Sequence, residues 1–306
     1  MADVVEQALN GLSDPIVEYL HLRFPQLLPV MLRWAGQLNE ATAIDLLPPS
    51  DVAPLVGVAA ELAIGIDLAD GLSEFSAWLT EADAGRLLEL VRGATPSSLD
   101  TAVSASPLPV GSEELAQRLV RLAQAQEAIF RLQSSGPADV AQARRLVDDL
   151  HHPQLFSFAP GWRFLRPVLD AYFTRGWRPL RALGVPVVVG HRFAEGFVVC
   201  DLVVGDALID IKCVTQPASH LVDWIHQLLK YTLLDFTDEL GIRRVGIYFA
   251  RHTLLLTEPI DALLFELTGD TGATVGALRE EFARVAAPQI AHFAAVRAKV
   301  RTPNVL

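Results

Sequence analysis

Cysteine is almost missing from this chain, with two in 306 residues. Two thiols cannot supply a four-thiolate iron–sulfur site, and no zinc-ligand spacing is present. Cys200 and Cys213 read as small core residues, which fits a reducing compartment. Long apolar runs are missing as well, so no segment reaches the length of a membrane span. The opening MADVVEQALNGLSD has neither the basic start nor the apolar core of a signal peptide, and the expectation is a cytoplasmic protein without membrane contact. Lysine is absent from residues 1–150, where 9 arginines stand against 21 acids. No repeat of fixed period is visible.

The chain is 51% hydrophobic and 20% charged, enough to build a sizeable core in one large domain or two. Its net charge of −11 is uneven: residues 1–150 carry −12, whereas residues 151–306, with 16 basic and 15 acidic side chains, carry +1. Six arginines (Arg163, Arg166, Arg175, Arg178, Arg181, Arg192) are interrupted by one acid, Asp170. Such a local patch suits phosphate binding despite the overall charge, and it equally suits a solvated helix face.

Residues 1–92 mix apolar positions at helical spacing with acids, cut into short helices by prolines. This gives an acidic, all-α N-terminal region, and residues 93–112, rich in Ser, Pro, Gly and Thr, read as a linker. Helices are predicted over 112–133, with Ser112 as N-cap, over 138–150, and over 162–175 with Pro167 inside. VPVVVG (185–190) reads as a strand before a hairpin at 197–214. A helix of about six turns then ends at Gly241, followed by strands at 243–250 and 253–258 and C-terminal helices. Meander strands, a helix and returning strands predict an α+β fold with a mixed sheet, not a doubly wound one.

The hairpin FVVCDLVVGDALIDIKCV is the most informative stretch. Gly205-Asp206 is a two-residue turn signal, so positions equidistant from it face each other. Asp201 and Asp210 are equidistant and should be directly opposed, with Lys212 on the same face. The other face would carry Cys200, Leu202, Val204, Ala207, Ile209, Ile211 and Cys213. Two opposed carboxylates on an apolar hairpin repel each other, and a hard divalent cation such as Mg²⁺ or Mn²⁺ would relieve that.

Asp201 with Asp210-Ile211-Lys212, followed on the next helix by Gln227-Leu228-Leu229-Lys230-Tyr231, resembles the PD-(D/E)XK nuclease superfamily, in particular its RecB-like branch with a QxxxY motif. The resemblance covers about residues 160–260, inside a unit spanning 113–306. It implies a restriction-endonuclease-like mixed-sheet core flanked by helices and a metal-dependent deoxyribonuclease, with a role in phage defence or DNA processing. It assigns Asp201, Asp210 and the Ile211 carbonyl to the metal. Lys212 would orient or deprotonate the attacking water, or stabilise negative charge. Gln227 and Tyr231 would contact the substrate phosphate or brace the lysine.

The superfamily often has a further acid on the helix before the first strand; Asp170 is its candidate here, with Glu195, just before the second strand, as the alternative. His191 reads as a polar loop residue. Arg163, Arg166, Arg175, Arg178, Arg192 and Lys230 are candidate DNA contacts. The iron–sulfur cysteines of many CRISPR-associated relatives are absent. The alternative reading is a catalytically inactive nuclease-fold scaffold whose acidic N-terminal region meets a basic protein partner. A third is that this region mimics DNA and inhibits the nuclease. A homo-oligomer is compatible with each of these readings.

Overall fold

A computed structural model describes residues 14–71, 81–94, 112–132 and 161–301. The expected helix at 138–150, residues 95–111 of the expected linker and the N-terminal 13 residues lie outside that set. Helices α1 (Pro15–Arg23), α2 (Leu27–Glu40), α3 (Ala53–Ala69), α4 (Glu81–Ala94) and α5 (Ser112–Leu132) come first. Then α6 (Trp162–Ala171), with Pro167 inside it, passes through a π turn at Tyr172–Gly176 into α7 (Trp177–Arg181). The strands are β1 (Val187–Val189), β2 (Arg192–Phe193), β3 (Val198–Val199), β4 (Leu202–Val204), β5 (Ala207–Lys212), β6 (Arg244–Phe249) and β7 (Leu254–Pro259). Helix α8 (Leu221–Leu234) connects β5 to β6, and α9 (Ile260–Thr268) and α10 (Val275–Arg301) follow β7.

The main sheet has five strands in the order β1-β4-β5-β6-β7, and β2 pairs separately with β3. Only β5 and β6 run parallel, because a helix rather than a tight turn joins them. The fold is therefore α+β with a mixed sheet, as the element order predicts. Both faces of the sheet are covered. Val203, Leu208, Val245, Ile247 and Phe249 pack with α1, α2, α8, α9 and α10. Leu202, Val204, Ala207, Ile209 and Tyr248 pack with α3 to α7. Two covered faces explain why the central strands read as near-continuous apolar runs.

The N-terminal region is all-α among the described residues, but it is not set apart. Ile16, Leu20, Val30, Trp34 and Leu38 share one core with the sheet, and Val56, Ala59, Ala60 and Ala63 share the other. The expected boundary at 93–112 therefore does not separate two cores. Asp14 shows the local logic of α1: its carboxylate accepts the N–H groups of Ile16 and Val17, with Pro15 in the first turn.

Two boundaries differ from expectation. Helix α8 stops at Leu234 rather than near Gly241, because buried Asp235 leaves the helix to accept the Glu239 N–H at 2.9 Å and an ion pair from Arg279. The hairpin is also shorter, since Val198 and Val199 pair with β2 and the long arm begins at Leu202.

Helix α8 buries His226 beside His21 of α1, with ring centres 4.7 Å apart. Burial first, then the neighbouring His21, lowers the His226 pKa from 6.5 to about 4, while Asp223 opposes the shift. The unfolded chain takes up this proton below about pH 6.5 and the folded chain refuses it until about pH 4. Stability should therefore fall as pH drops through that window. Urea midpoints measured across it should decline less in His226→Phe than in the wild type.

Candidate active site

The hairpin has the expected register: Leu202 opposes Ile209, Val203 opposes Leu208, and Val204 opposes Ala207 across the Gly205-Asp206 turn. Gly205 has φ +59°, and a side chain there would collide with the Leu183 carbonyl oxygen, so only glycine fits. Continued one step, the register would oppose Asp201 to Asp210 at a non-hydrogen-bonded position, where side chains lie closest. At Asp201 the ladder ends in a bend. Its Oδ2 accepts the Ile211 N–H at 2.7 Å, replacing the strand partner that a longer β4 would have supplied. In an extended strand the N–H and C=O of one residue point to the same edge, so the Ile211 carbonyl faces the gap beside Asp201. The bend also moves Cys200 out of the expected row. Leu202, Val204, Ala207, Ile209, Ile211 and Cys213 share one face, but Cys200 packs in the opposite core.

Lys212 joins the hairpin to α8. Its Nζ lies 2.6 Å from Asp210 Oδ2 and donates to Gln227 Oε1 at 3.2 Å. Gln227 Nε2 in turn donates to the Tyr231 hydroxyl at 2.5 Å. The ammonium has only donors, so it fixes the glutamine oxygen toward itself and leaves the amide nitrogen for Tyr231. Phe193 stacks on the Tyr231 ring at 6.2 Å and backs the chain. Asp201, Asp210, Lys212, Gln227 and Tyr231, expected to act together, thus converge through contacts or register.

The acid added to this group is neither Asp170 nor Glu195. Asp170 answers only to burial and to Arg166, and Glu195 sits exposed on a turn with φ +58°. The acid is Glu61 of α3, whose pKa rises to about 7, mainly by burial and then by the charge of Asp210, against the pull of Lys212. Burial, then Glu61 and Asp210, push Asp201 well above the usual carboxylate range, against Lys212 and the Ile211 N–H. Burial raises Asp210, while Lys212 first and then a side-chain hydrogen bond with Asp201 pull it back. For Lys212, burial alone would lower the pKa, but Asp210, Asp201 and Glu61 outweigh it and raise it. The sequence signal for Glu61 was a single acid inside GVAAELAIGI, an otherwise apolar run.

Three acids against one ammonium leave this group, built around buried Asp210, short of positive charge. Asp210 Oδ1 is buried with no hydrogen-bond partner, which is costly unless a ligand takes it up. Among the described residues, no three His, Cys, Asp or Glu side chains stand at metal-ligating spacing. Asp201, Asp210 and the Ile211 carbonyl are oxygen donors of the kind that could hold a hard cation, with Glu61 adding charge nearby.

The arginine segment does not gather on the Gln227 side of the sheet. Arg163 and Arg166 are exposed on α6, in the opposite helical layer, and the Arg163 guanidinium lies 5.6 Å from the Trp162 ring. Arg178 lies over Trp177, and Arg181 is held by buried Asp67 at 3.0 Å. Arg175 donates to Thr253 Oγ1 at 2.8 Å, at the sheet end where Lys212 stands. Arg192 is exposed on β2. Lys230 is half-buried and, at one residue from Tyr231, lies about 100° round the helix. His191 is half-buried and edge-on to Phe193, with its carbonyl taken by the Cys200 N–H. Among the described residues, no helix is long and apolar enough to cross a membrane. No protein-family model, curated protein or solved structure matches this chain.

Proposed function

We propose that this protein is a divalent-cation-dependent nuclease of the PD-(D/E)XK type that hydrolyses phosphodiester bonds in DNA, with a restriction-endonuclease-like core. The observation that carries this reading is the neighbouring Asp201 and Asp210 carboxyls at the open end of the hairpin, with an orphaned Asp210 oxygen, beside an ammonium held in line by Gln227 and Tyr231. The meander β1-β4-β5 and the helical crossover to parallel β6 support the fold assignment.

A bound Mg²⁺ would supply charge to polarise the phosphate and lower the pKa of a water. The protein's own groups do the rest. Asp201, Asp210 and the Ile211 carbonyl would hold the cation. Lys212 places its ammonium against the negative charge that grows on the phosphate oxygens as water adds and the P–O bond to the leaving oxygen breaks. Gln227 and Tyr231 keep that ammonium aimed.

The test is cleavage of supercoiled, linear and single-stranded DNA with Mg²⁺ or Mn²⁺, alongside calorimetric Mn²⁺ titration. Cleavage by the wild type that is lost in both Asp210→Ala and Lys212→Ala is the expected result. Cleavage that survives both substitutions overturns the site, and absence of Asp201-dependent Mn²⁺ binding leaves an inactive scaffold.

A further inference from the structure

Lys212 also faces an aromatic surface that hydrolysis itself does not require. Its Nζ lies 5.7 Å from the centre of the Trp224 ring. Trp224 is nearly buried at 9% exposure and leans on Phe249 at 5.8 Å. Trp224 also meets His220, with ring centres 5.5 Å apart and planes inclined by 36°. His220 is exposed. It ends the 3-10 turn Pro217–His220, which is anchored by buried Pro217 and by the Ser219 hydroxyl donating to the Gln216 carbonyl at 2.9 Å. Helix α2 packs against the same turn. Lys212 and exposed His220 thus share one aromatic neighbour, Trp224.

A nucleotide joins its phosphate to its base at limited reach, so a phosphate drawn to Lys212 brings a base toward the imidazole. Every base offers a π face, and aromatic and histidine side chains stack on it with little regard to sequence. Within a duplex both faces of a base are already covered by its neighbours. Only an unpaired or extruded base can use such a ring.

We infer that His220, seated on Trp224, is a stacking subsite for an unpaired nucleobase next to the scissile phosphate, so that the substrate is DNA with single-stranded character. This inference rests on the nuclease reading above.

Fluorescence anisotropy with Mg²⁺ tests it, using a labelled oligothymidylate with hydrolysis-resistant phosphorothioate linkages and a matched strand of abasic nucleotides. The wild type should bind the thymidylate about tenfold more tightly than the abasic strand. His220→Ala should lose that difference, and His220→Phe should keep it. Equal binding of both strands by the wild type, or an undiminished preference in His220→Ala, overturns the subsite. Should His220→Ala fail to fold, the wild-type comparison and His220→Phe still decide. Wild-type protein that cleaves DNA but ignores the base removes the subsite alone, whereas protein that neither cleaves nor binds either strand removes the nuclease reading with it.

Discussion

Asp201→Asn is expected to slow cleavage by roughly 10³-fold while raising the melting temperature of the metal-free protein. The two effects share one cause. Asp201 is half-buried, beside Asp210 and Glu61, and only Lys212 and the Ile211 N–H offset the charge. Asparagine keeps an oxygen to accept the Ile211 N–H but removes the repulsion and the desolvation of a carboxylate. Relief of about 1 kcal/mol would raise the melting temperature by about 2–4 °C. The same change deletes a cation ligand, and losing on the order of 4 kcal/mol of transition-state stabilisation slows cleavage by roughly 10³-fold. Mg²⁺ should raise the melting temperature of the wild type and not of the variant. Glu61→Gln should move both quantities in the same directions by less, because Glu61 adds charge rather than a placed ligand. Thermal melts with and without Mg²⁺, run beside the cleavage assay, check the prediction. A lower metal-free melting temperature in Asp201→Asn would mean that the carboxylate is structural.

The hairpin could be read from the sequence because a two-residue turn turns register into counting, and φ +59° at Gly205 makes the glycine a requirement rather than a coincidence. Gln227 and Tyr231 were legible for a similar reason, since four residues on one helix is a local distance. What could not be read depends on contacts between distant parts of the chain. Glu61 lies 140 positions before Asp201, and nothing in local spacing says that α3 covers this hairpin. The charge of the arginine segment was plain, but its layer was not, because an amphipathic helix shows which face it buries and not against what. Cys200 followed strand alternation on paper, yet one bend at Asp201 moved it to the other core. Helix α8 was overextended because its periodicity runs on past Leu234, whereas its end is set by Arg279 from α10.

Arg279→Ala is expected to cost about 3–5 kcal/mol of folding stability, the range for breaking a buried ion pair by removing one partner. Arg279 is 6% exposed. Its Nη2 holds Asp235 at 3.1 Å, its Nη1 holds Asp238 at 2.7 Å, and its Nε donates to the Thr232 carbonyl at 3.0 Å. The three contacts are not equivalent. Asp238 is held well below the usual carboxylate range by Arg243 first and Arg279 second, so it keeps a cation when Arg279 is lost. Asp235 is buried at 4% exposure and keeps only the Glu239 N–H, so most of the loss falls there. Thr232 belongs to the last turn of α8, whose carbonyls have no partner within the helix. Gln227 and Tyr231 are carried by the same helix, so a frayed end would loosen the brace on Lys212 and lower cleavage at temperatures where the fold survives. Urea unfolding of Arg279→Ala and of the double variant Arg279→Met/Asp235→Leu separates the causes. The double variant should recover most of the loss, because two apolar side chains of similar volume remove the unpaired charge together with its partner. A single variant less than about 1 kcal/mol below the wild type would mean that Asp235 finds water or another cation, and that the end of α8 is set by packing alone.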